Sequence, residues 1–497
     1  MSSRKFWRGF SPALLTDLYQ LTMAFGYWKT GFQDREAIFH LFFRNHPFKG
    51  GFTIAAGLEY VVEFIESYRF EDDDLEYLAS LGGSNGNALF DNEFLDYLRA
   101  LRVRCDVHAV PEGTVVFPFE PLIRVQGPLL HCQLLETPLL NLVNFQTLVA
   151  TKAARIVLST RGQPVLEFGL RRAQGVDGAL SATRAAFIGG CGATSNVLAG
   201  KVFGIPVRGT HAHSWVMSFD CEIDSFRAWA EAMPNNCVFL VDTYDTMEGV
   251  RNAVEVGKEM RRNGRRMAGI RLDSGDLAYL SREARQLLDQ AGFEDAKIVG
   301  SNDLDEHVIE SIQQQGGTIG VWGVGTRLST SYEQPALDGV YKLSALRKPD
   351  GQWQYKVKLS EQAIKITNPG ILQVRRFRLG KEFIADAIYD ERQGLDGDCI
   401  LVDPLDRTRR KRVAADTAFT ELLVPVFRQG RRLYDPPSLQ DIQIRTRTQL
   451  AGFHDGIKRF LHPHEYPVGL EKSLHELKED LIIRTRQAGR RNAHKDS

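Results

Sequence analysis

A regular alternation of short apolar runs with amphipathic segments, between residues 164 and 326, most constrains how this chain can fold. The apolar runs cover residues 165–168, 205–207, 238–241, 268–272, 298–299 and 319–322. The last five runs start about 20 to 35 residues apart, and a further short strand near Ala193 divides the longer first interval, which is spacing typical of βα units. We therefore predict a parallel α/β core and favour a barrel over an open sheet.

The segments between these runs carry helical patterns. Thr246 stands where it would cap a helix that ends near residue 263, and an apolar stripe over 277–288 stops at Gly292. We predict a further helix over 304–315. Upstream of the core, a helix is predicted over 14–27.

The two flanks of the core predict a second, β-rich domain. We predict an α/β barrel over 151–334, inserted into an α+β domain built from 1–150 and 335–430, and a C-terminal extension over 431–497. The extension turns polar towards its end, which predicts a solvated tail because exposed termini are commonly polar and disordered. The charges of this tail are Arg484, Arg486, Arg490, Arg491 and Lys495.

Composition narrows the class of function. The 497 residues include 62 basic and 62 acidic residues, so there is no electrostatic reason to expect a nucleic-acid or membrane partner. The six cysteines form no C-x-x-C pair, which disfavours zinc ribbons and disulfide frameworks. Residues 1–10 lack the apolar segment of a signal peptide, and no apolar run is long enough to span a membrane. We expect a cytoplasmic protein that acts on small molecules.

Polar residues follow each apolar run, at the edge where parallel α/β cores bind their ligands. Arginines, carboxylates and glycines dominate this set, and together they predict an anionic, phosphate-bearing substrate with a divalent metal. The six groups are Gly169-Leu170-Arg171-Arg172, Gly209-Thr210-His211-Ala212-His213-Ser214, Asp242-Thr243-Tyr244-Asp245, Arg271-Leu272-Asp273-Ser274-Gly275-Asp276, Gly300-Ser301-Asn302-Asp303 and Gly323-Val324-Gly325-Thr326.

The last two groups predict a phosphate site. Gly323, Gly325 and Thr326 would leave backbone N–H groups open to phosphate oxygens. Ser301 and Asn302 would stand at a helix N-terminus, where the partial charge is positive. A glycine turn that serves only to make steric room is the alternative for the two glycines.

Four aspartates divide into two pairs. Asp242 and Asp273 stand nearest the strand ends and are the predicted magnesium ligands, since Mg²⁺ prefers hard carboxylate oxygens together with substrate phosphates. Asp245 and Asp276 are expected to cap helices instead.

Basic side chains complete the predicted site. Arg171 and Arg271 suit bidentate contacts to carboxylate or phosphate, and a structural ion pair is the alternative for each. His213 by itself reads as a hydrogen-bonded core histidine, but near Thr210 and the arginines it suits a base or a phosphoryl acceptor. His211 competes for that role. No H-E-x-x-H or G-x-S-x-G motif is present, which disfavours zinc and serine-hydrolase chemistry.

Over roughly residues 10–430 the chain resembles the bacterial nicotinate phosphoribosyltransferases. Six ordered motifs carry the resemblance, and jointly they are highly specific. They are Leu14-Leu15-Thr16-Asp17-Leu18-Tyr19-Gln20, Glu167-Phe168-Gly169-Leu170-Arg171-Arg172-Ala173-Gln174-Gly175, Ser195-Asn196-Val197-Leu198-Ala199-Gly200, Gly209-Thr210-His211-Ala212-His213-Ser214, Arg271-Leu272-Asp273-Ser274-Gly275-Asp276 and Gly323-Val324-Gly325-Thr326.

The resemblance implies a fold and an activity. The implied fold is that of the type II phosphoribosyltransferases, an irregular α/β barrel plus a β-rich α+β domain built from both flanks. The implied enzyme is ATP-dependent and ligase-type, and forms nicotinate mononucleotide and pyrophosphate from nicotinate and phosphoribosyl pyrophosphate, the first step of NAD salvage from nicotinate. ATP hydrolysis would be coupled through a phosphohistidine, and Mg²⁺ would be the cofactor. A homodimer with shared active sites is also implied.

Carried over residue by residue, the resemblance implies that the pyridine ring lies between the side chains of Phe168 and Tyr19, with Tyr19 supplied by the other subunit. Without the resemblance, Tyr19 reads as a core residue of its helix. Thr210 and Arg271 match positions that contact nicotinate, and His213 matches the histidine that ATP phosphorylates. The positions that hold the ribose and its phosphates are Arg171, Arg271 and Asp273.

The resemblance also ranks the alternatives. His211 occupies a variable position of its motif, which favours His213. Nicotinamide phosphoribosyltransferases share the architecture but have an aspartate near Ser195-Asn196, where a carboxylate would repel nicotinate. An inert phosphoribosyl-ligand-binding regulator would be expected to lose His213 or the Asp242 and Asp273 pair. Quinolinate phosphoribosyltransferases are shorter and lack the histidine motif.

Overall fold

The computed structural model describes the backbone of residues 11–493 and the side chains of residues 11–487. The chain divides into two units, Met1–Thr147 with Ala336–Ser497 and Leu148–Pro335. The expectation about a signal peptide concerns residues 1–10, and Lys495 belongs to the predicted tail; both lie outside the described residues. No helix of the described part is long and apolar enough to cross a membrane.

The N-terminal flank mixes helices with short strands. The predicted helix over 14–27 begins only at Leu18, because Pro12–Leu14 form a 3₁₀ turn and Asp17 has an extended backbone. The strands are β1 (Glu36–Phe42), β2 (Thr53–Ile54), β3 (Asp106–Ala109), β4 (Val115–Val116) and β5 (Ile123–Pro128). The helices are α1 (Leu18–Lys29), α2 (Leu58–Ser67), α3 (Asp72–Ala79), α4 (Asn92–Ala100), α5 (Leu129–Leu134) and α6 (Glu136–Ser159).

The central segment alternates strands and helices as predicted. Its strands are β6 (Val165–Glu167), β7 (Ala193–Thr194), β8 (Val238–Leu240), β9 (Gly269–Leu272), β10 (Lys297–Ser301) and β11 (Val321–Val324). Its helices are α7 (Gly175–Ile188), α8 (Val197–Phe203), α9 (His213–Met217), α10 (Glu222–Ala232), α11 (Thr246–Arg262), α12 (Leu277–Gln290), α13 (Glu306–Gln314) and α14 (Thr326–Ser329).

These six strands form one parallel sheet in the order β7-β6-β11-β10-β9-β8. Because the last strand, β11, pairs with the first, β6, the sheet curls into a barrel. The prediction of a strand over 205–207 is wrong, because Val207 makes only a single bridge, to Thr194. Pro206 lies in the middle of that run and has no N–H to donate to a second neighbour, so the ring stays irregular between Val207 and β8.

The barrel helices begin at side chains that cap them. Asp245 Oδ1 accepts from the N–H of Glu248 (2.9 Å), so Asp245 caps α11 and the cap predicted at Thr246 is one residue late. Asp276 caps α12 in the same way, as expected. The helix predicted over 304–315 begins at Glu306 and ends at Gln314, because Asp305 has an extended backbone and caps it by accepting from the N–H groups of His307 and Val308.

The C-terminal flank is mainly antiparallel. Its strands are β12 (Val340–Arg347), β13 (Trp353–Tyr355), β14 (Leu372–Leu379), β15 (Glu382–Asp390), β16 (Cys399–Val402), β17 (Arg410–Val413), β18 (Phe419–Glu421), β19 (Val424–Arg428), β20 (Arg431–Arg432) and β21 (Val468–Glu471). Its helices are α15 (Leu439–Ala451) and α16 (Lys472–Ala493).

The two flanks share sheets, as a discontinuous domain requires. One sheet runs β13-β12-β1-β5-β3-β19-β20 and so joins strands from both flanks, and a second runs β17-β16-β21-β15-β14-β18. The second sheet corrects the predicted extension over 431–497, because β21 pairs with both β15 and β16. The tail is helical rather than disordered up to residue 493, where α16 ends, and its charged residues Arg484 and Arg486 are exposed as predicted.

Candidate active site

Three neighbouring barrel strands end in a connected set of polar side chains. Arg271, on β9, donates from Nε to Ser301 Oγ at the end of β10 (2.8 Å) and from Nη2 to Asp273 Oδ1 (2.7 Å). Its Nη1 lies 3.4 Å from Thr210 Oγ1. The Arg271 side chain is 16% exposed. These contacts hold a guanidinium charge in one orientation at the carboxyl edge of the sheet.

Asp273 carries the matching negative charge. Burial works against its ionisation, but the charge of Arg271 and the hydrogen bonds from Ser301 and Arg271 outweigh burial and hold the pKa of Asp273 below its usual value. The other oxygen, Oδ2, lies 3.8 Å from His213 Nε2. An ionised carboxylate therefore stands beside the imidazole.

Asp242, two residues after the end of β8, has a fully buried side chain. Its Oδ2 accepts from the backbone N–H of Asp273 (2.8 Å) and from the hydroxyl of Ser274 (2.7 Å). Its Oδ1 has no hydrogen-bond partner among the described residues, and it lies 3.9 Å from His213 Nε2. A buried carboxylate oxygen without a partner is costly, so this atom fits a ligand such as a metal ion or its water.

The two aspartates suit magnesium rather than a metal held by protein alone. Within the described residues, no three side chains of His, Cys, Asp or Glu come together as a metal site. Mg²⁺ is usually held through one or two carboxylates plus substrate phosphates, and Asp242 with Asp273 offers that number. Their role as magnesium ligands stays a prediction.

His213, the first residue of α9, presents one free ring nitrogen. Its Nδ1 lies 3.1 Å from Thr243 Oγ1, and its Nε2 has no hydrogen-bond partner among the described side chains and backbone. The side chain is 39% exposed. When Nδ1 carries the proton and donates to Thr243, the lone pair of Nε2 is available for chemistry.

His211, in contrast, uses its ring nitrogen in a hydrogen bond within the protein. Its Nε2 accepts from the backbone N–H of Leu240 (3.2 Å), and its ring lies 5.0 Å from that of Trp229. Burial lowers the pKa of His211 to about 4. Since its accepting nitrogen already has a partner, His211 lacks the free nitrogen that His213 offers.

Phe168 sits where two glycines leave room for it. A Cβ on Gly323 would lie 2.7 Å from the Phe168 ring, and one on Gly325 would lie 3.1 Å from the Phe168 carbonyl oxygen. The guanidinium of Arg271 lies 5.7 Å from the centre of the same ring. The steric alternative for both glycines is therefore supported, and their contact with phosphate stays a prediction.

Arg171 lies on an exposed turn after β6. The turn, Leu170–Arg172, is a 3₁₀ helix, and Arg171 is exposed on it. Glu167, buried at the end of β6, accepts from the hydroxyls of Thr183 (3.0 Å) and Thr194 (2.6 Å) and from the N–H of Gly169. This carboxylate fixes the start of the turn that presents Arg171.

The predicted phosphate residues after β10 and β11 are differently placed. Ser301 stands at the strand end, where it donates to Asp273 and accepts from Arg271, and it is not at a helix N-terminus. Asn302 follows with a φ of 124°, an unusual value outside glycine. Thr326 begins the four-residue helix α14. Only Ser301 joins the connected set around Arg271.

Known proteins match the chain over most of its length. Residues 14–144, 164–355 and 373–478 match the models of the nicotinate phosphoribosyltransferase N-terminal domain, the nicotinate phosphoribosyltransferase family and the nicotinate phosphoribosyltransferase C-terminal domain, respectively. The nicotinate phosphoribosyltransferase of Bacillus subtilis (strain 168) is 44% identical over 93% of each chain. The chain belongs to the nicotinate phosphoribosyltransferase family. The nicotinate phosphoribosyltransferase of Caenorhabditis elegans is 36% identical, over 96% of this chain and 94% of its own.

Solved structures agree on the fold. Human nicotinic acid phosphoribosyltransferase superposes with a TM-score of 0.81 at 33% identity, over 94% of this chain and 100% of its own. The nicotinate-nucleotide pyrophosphorylase of Pyrococcus furiosus has a TM-score of 0.68 at 20% identity, over 89% of this chain and 96% of its own, which shows the fold alone. The type II phosphoribosyltransferase fold, with its irregular barrel and β-rich domain, is confirmed.

Tyr19 of this family member is not a core residue. It lies on α1 with 48% of its surface exposed, and Leu15, Leu18 and Met23 are 36%, 52% and 37% exposed. The interpretation of Tyr19 as core is therefore wrong. Its contact with nicotinate stays a prediction.

Of the two residues at the position expected to favour nicotinate over nicotinamide, Ser195 and Asn196, only Ser195 is partly exposed. Asn196 is buried: its Oδ1 caps α8 by accepting from Ala199 N–H (3.1 Å), and its Nδ2 donates to Thr183 Oγ1 (3.2 Å). Ser195, beside it, is partly exposed. Any contact with substrate at this position therefore belongs to Ser195.

Sequence reasoning missed two residues that organise the site of this family member. Thr243 is one of the polar residues after β8 for which the sequence predicted no role, and in the structure its hydroxyl lies beside His213 Nδ1. Glu167 read as part of an apolar run, although a carboxylate inside such a run signals a buried polar partner set. That signal was present in the sequence.

Proposed function

We propose that the chain is a nicotinate phosphoribosyltransferase that couples ATP hydrolysis to synthesis of nicotinate mononucleotide and pyrophosphate from nicotinate and phosphoribosyl pyrophosphate. The observation that carries the proposal is the free Nε2 of His213, which lies 3.9 Å and 3.8 Å from the carboxylates of Asp242 and Asp273. Family membership supports the substrates, and the free imidazole nitrogen supports the coupling to ATP. This reaction is the first step of NAD salvage from nicotinate.

The phosphoryl step uses that free nitrogen. His213 Nδ1–H donates to Thr243 Oγ1, and the Nε2 lone pair attacks the γ-phosphorus of ATP. The bond between this phosphorus and the bridging oxygen breaks, and ADP leaves with the electron pair. The phosphorylated imidazole carries positive charge, which the carboxylates of Asp242 and Asp273 stabilise. Water then attacks the phosphorus, the P–N bond breaks with its electron pair returning to Nε2, and inorganic phosphate leaves.

The ribosyl step needs positioning more than covalent chemistry. Pyrophosphate leaves the anomeric carbon with the bonding electrons, and the nicotinate ring nitrogen forms the new bond to that carbon. Phe168 packs on the pyridine ring, and Arg271 with Thr210 binds the carboxylate. Arg171 and Asp273 hold the ribose and its phosphates. Substrate alignment of this kind removes several kcal/mol of the barrier.

Asp242 and Asp273 are the residues that would hold Mg²⁺. When bound, the ion would neutralise negative charge on the phosphate oxygens. The buried, unpartnered Oδ1 of Asp242 supports this assignment. The hydroxyls of Ser274 and Ser301 keep the remaining carboxylate oxygens oriented.

We also infer a homodimer with active sites shared between subunits, working in the cytoplasm. The exposed apolar residues Leu18, Tyr19 and Met23 of α1, with Leu15 just before it, support burial against a second copy. Cysteines that are free, and mostly buried, support a reducing compartment.

The test is product formation from nicotinate and from nicotinamide, each with and without ATP. We expect nicotinate to be preferred and ATP to stimulate turnover. His213→Ala should abolish the stimulation and leave a slower ATP-independent synthesis, while His211→Gln retains stimulation in its folded fraction. Full stimulation in His213→Ala would contradict the phosphohistidine, and a preference for nicotinamide would contradict the substrate.

A further inference from the structure

A cleft of about 540 Å³ opens in the first unit, between the start of β15, the start region of β17 and the segment that joins α15 to β21. This volume lies within the usual range of small-ligand pockets. Buried Ile457 and Tyr466, with half-buried Phe383 and Ile384, form its apolar and partly aromatic lining. The more open part is basic: Lys411, His454, Arg459 and His464.

The two permanent cations of this cleft keep unused donors. Lys411 Nζ donates to the Ile384 carbonyl (2.6 Å), and Arg459 Nε donates to the Gly456 carbonyl (3.3 Å). Neither side chain forms an ion pair within the described residues, and Glu382 is the carboxylate that lines the cleft. Two cations against one carboxylate favour an anionic occupant.

The two histidines add ring N–H donors. His454 Nδ1 accepts from the Gly456 N–H (3.0 Å), so a neutral His454 carries its proton on Nε2 and can donate from it. A Cβ on Gly456 would lie 3.1 Å from His454 Nδ1 and 3.3 Å from His464 Cβ, so the glycine allows the two histidines to approach each other. The arrangement brings donors together on one side of the cleft.

An adjoining cavity of about 290 Å³ shares Lys411 and Tyr466 but differs in charge. Its Arg409 lies 2.8 Å from Glu465 and 3.8 Å from Asp403, both of which line the same cavity. Two carboxylates face the cations of this smaller cavity, against one in the larger cleft.

We propose that the larger cleft is a nucleotide-binding site, separate from the one that takes ATP, and that it binds a nucleoside monophosphate. The phosphate dianion matches the charges of Lys411 and Arg459 and accepts from the histidines. The base packs on the partly exposed ring of Phe383, since aromatic side chains stack on any nucleobase. A triphosphate would bring more negative charge than two cations neutralise.

The test is photolabelling of the full-length protein with 2-azidoadenosine monophosphate, followed by peptide mapping. We expect label in peptides that contain Phe383 or Tyr466, removable by excess AMP. Label confined to barrel peptides over 148–335 would overturn the proposal. Equal competition by inorganic phosphate and AMP would also overturn it, because the base would then contribute nothing.

A matched pair of variants tests the cation contribution. Arg459→Ala should weaken labelling by about tenfold, the usual scale for losing a charge-assisted hydrogen bond. Lys458→Ala removes the neighbouring positive charge, which is paired with Asp455 at 2.9 Å and does not line the cleft, and should change labelling less than twofold. Circular dichroism checks that both variants fold. Equal losses in both variants would contradict the proposal.

Discussion

Two arginine–aspartate pairs, one in each unit, differ in how completely they are satisfied. Arg376 and Asp386 are 1% and 0% exposed, whereas Arg271 and Asp273 are 16% and 30% exposed. Arg376 Nε contacts both Asp386 oxygens at 2.9 and 3.0 Å, and Tyr466 donates to the same carboxylate at 2.8 Å. The buried pair therefore uses its polar atoms within the protein.

The pair at the barrel edge keeps polar atoms unused. Asp273 Oδ2 faces the free nitrogen of His213, and next to it Asp242 Oδ1 has no partner among the described residues. The same contrast divides His211, whose accepting nitrogen is engaged, from His213, whose Nε2 is free. A polar cluster that completes its own hydrogen bonds stabilises a fold, and one that leaves them open can bind a ligand.

Arg376→Leu should produce the largest effect, a loss of about 3–5 kcal/mol in the free energy of unfolding, because Asp386 is left buried without its countercharge. Urea unfolding followed by circular dichroism measures the loss. Arg378→Leu, at an exposed position of the same strand, is the control and should change stability by less than about 0.5 kcal/mol. The double variant Arg376→Leu/Asp386→Leu should recover most of the loss, and failure to recover would mean that lost packing, not unpaired charge, sets the cost.

Arg271→Leu should leave stability almost unchanged and reduce activity. The exposed fraction of Asp273 keeps the cost in unfolding free energy below about 1 kcal/mol. Loss of a fixed cation at the reacting groups should lower kcat/KM for nicotinate by about 10²- to 10³-fold. Steady-state kinetics beside urea unfolding separates the two effects, with Arg251→Leu on α11 as the surface control. A loss of stability as large as that of Arg376→Leu would make this pair structural too.

His211 should make the protein less stable in acid. Burial lowers the pKa of His211 to about 4 in the folded chain, against 6.5 for the free side chain. As the pH falls below 6.5, the unfolded chain takes up a proton that the folded chain refuses, so stability decreases down to pH 4 by up to about 1.4 kcal/mol per pH unit. The free energy of unfolding of His211→Gln should depend less steeply on pH in this window and run parallel to that of the original protein above pH 7. Parallel curves throughout would contradict the burial of this imidazole.

Thr243→Val should produce the smallest effect, a loss of about tenfold in ATP-stimulated turnover, because His213 Nδ1 loses its partner and the ring its orientation. The KM for nicotinate should stay unchanged, since Thr243 orients the histidine and does not contact that substrate. Thr243→Ser keeps the hydroxyl and should restore turnover. Equal losses in the valine and serine variants would point to packing of the threonine methyl group instead.

The alternation of apolar runs with amphipathic segments predicted which strands and helices exist better than it predicted where they begin and end. Apolar runs gave β6, β8, β9, β10 and β11, because a strand buried on both faces needs a continuous apolar sequence. The exception, at 205–207, has the same apolar character, but Pro206 removes the donor that a second neighbour needs. Local sequence placed the cap Asp276 correctly and offered both Asp245 and Thr246 for α11, of which Asp245 is the cap.

The amino-acid sequence by itself determined that a parallel α/β barrel would carry arginine, aspartate and histidine at its strand ends, and the ordered motifs determined the family. Only the tertiary structure decided which polar atoms are engaged and which are free. His211 and His213 are two residues apart and chemically identical, and they differ because Leu240 N–H reaches one ring and Thr243 the other. Those partners lie about 30 positions away along the chain, and only folding brings them within hydrogen-bonding distance.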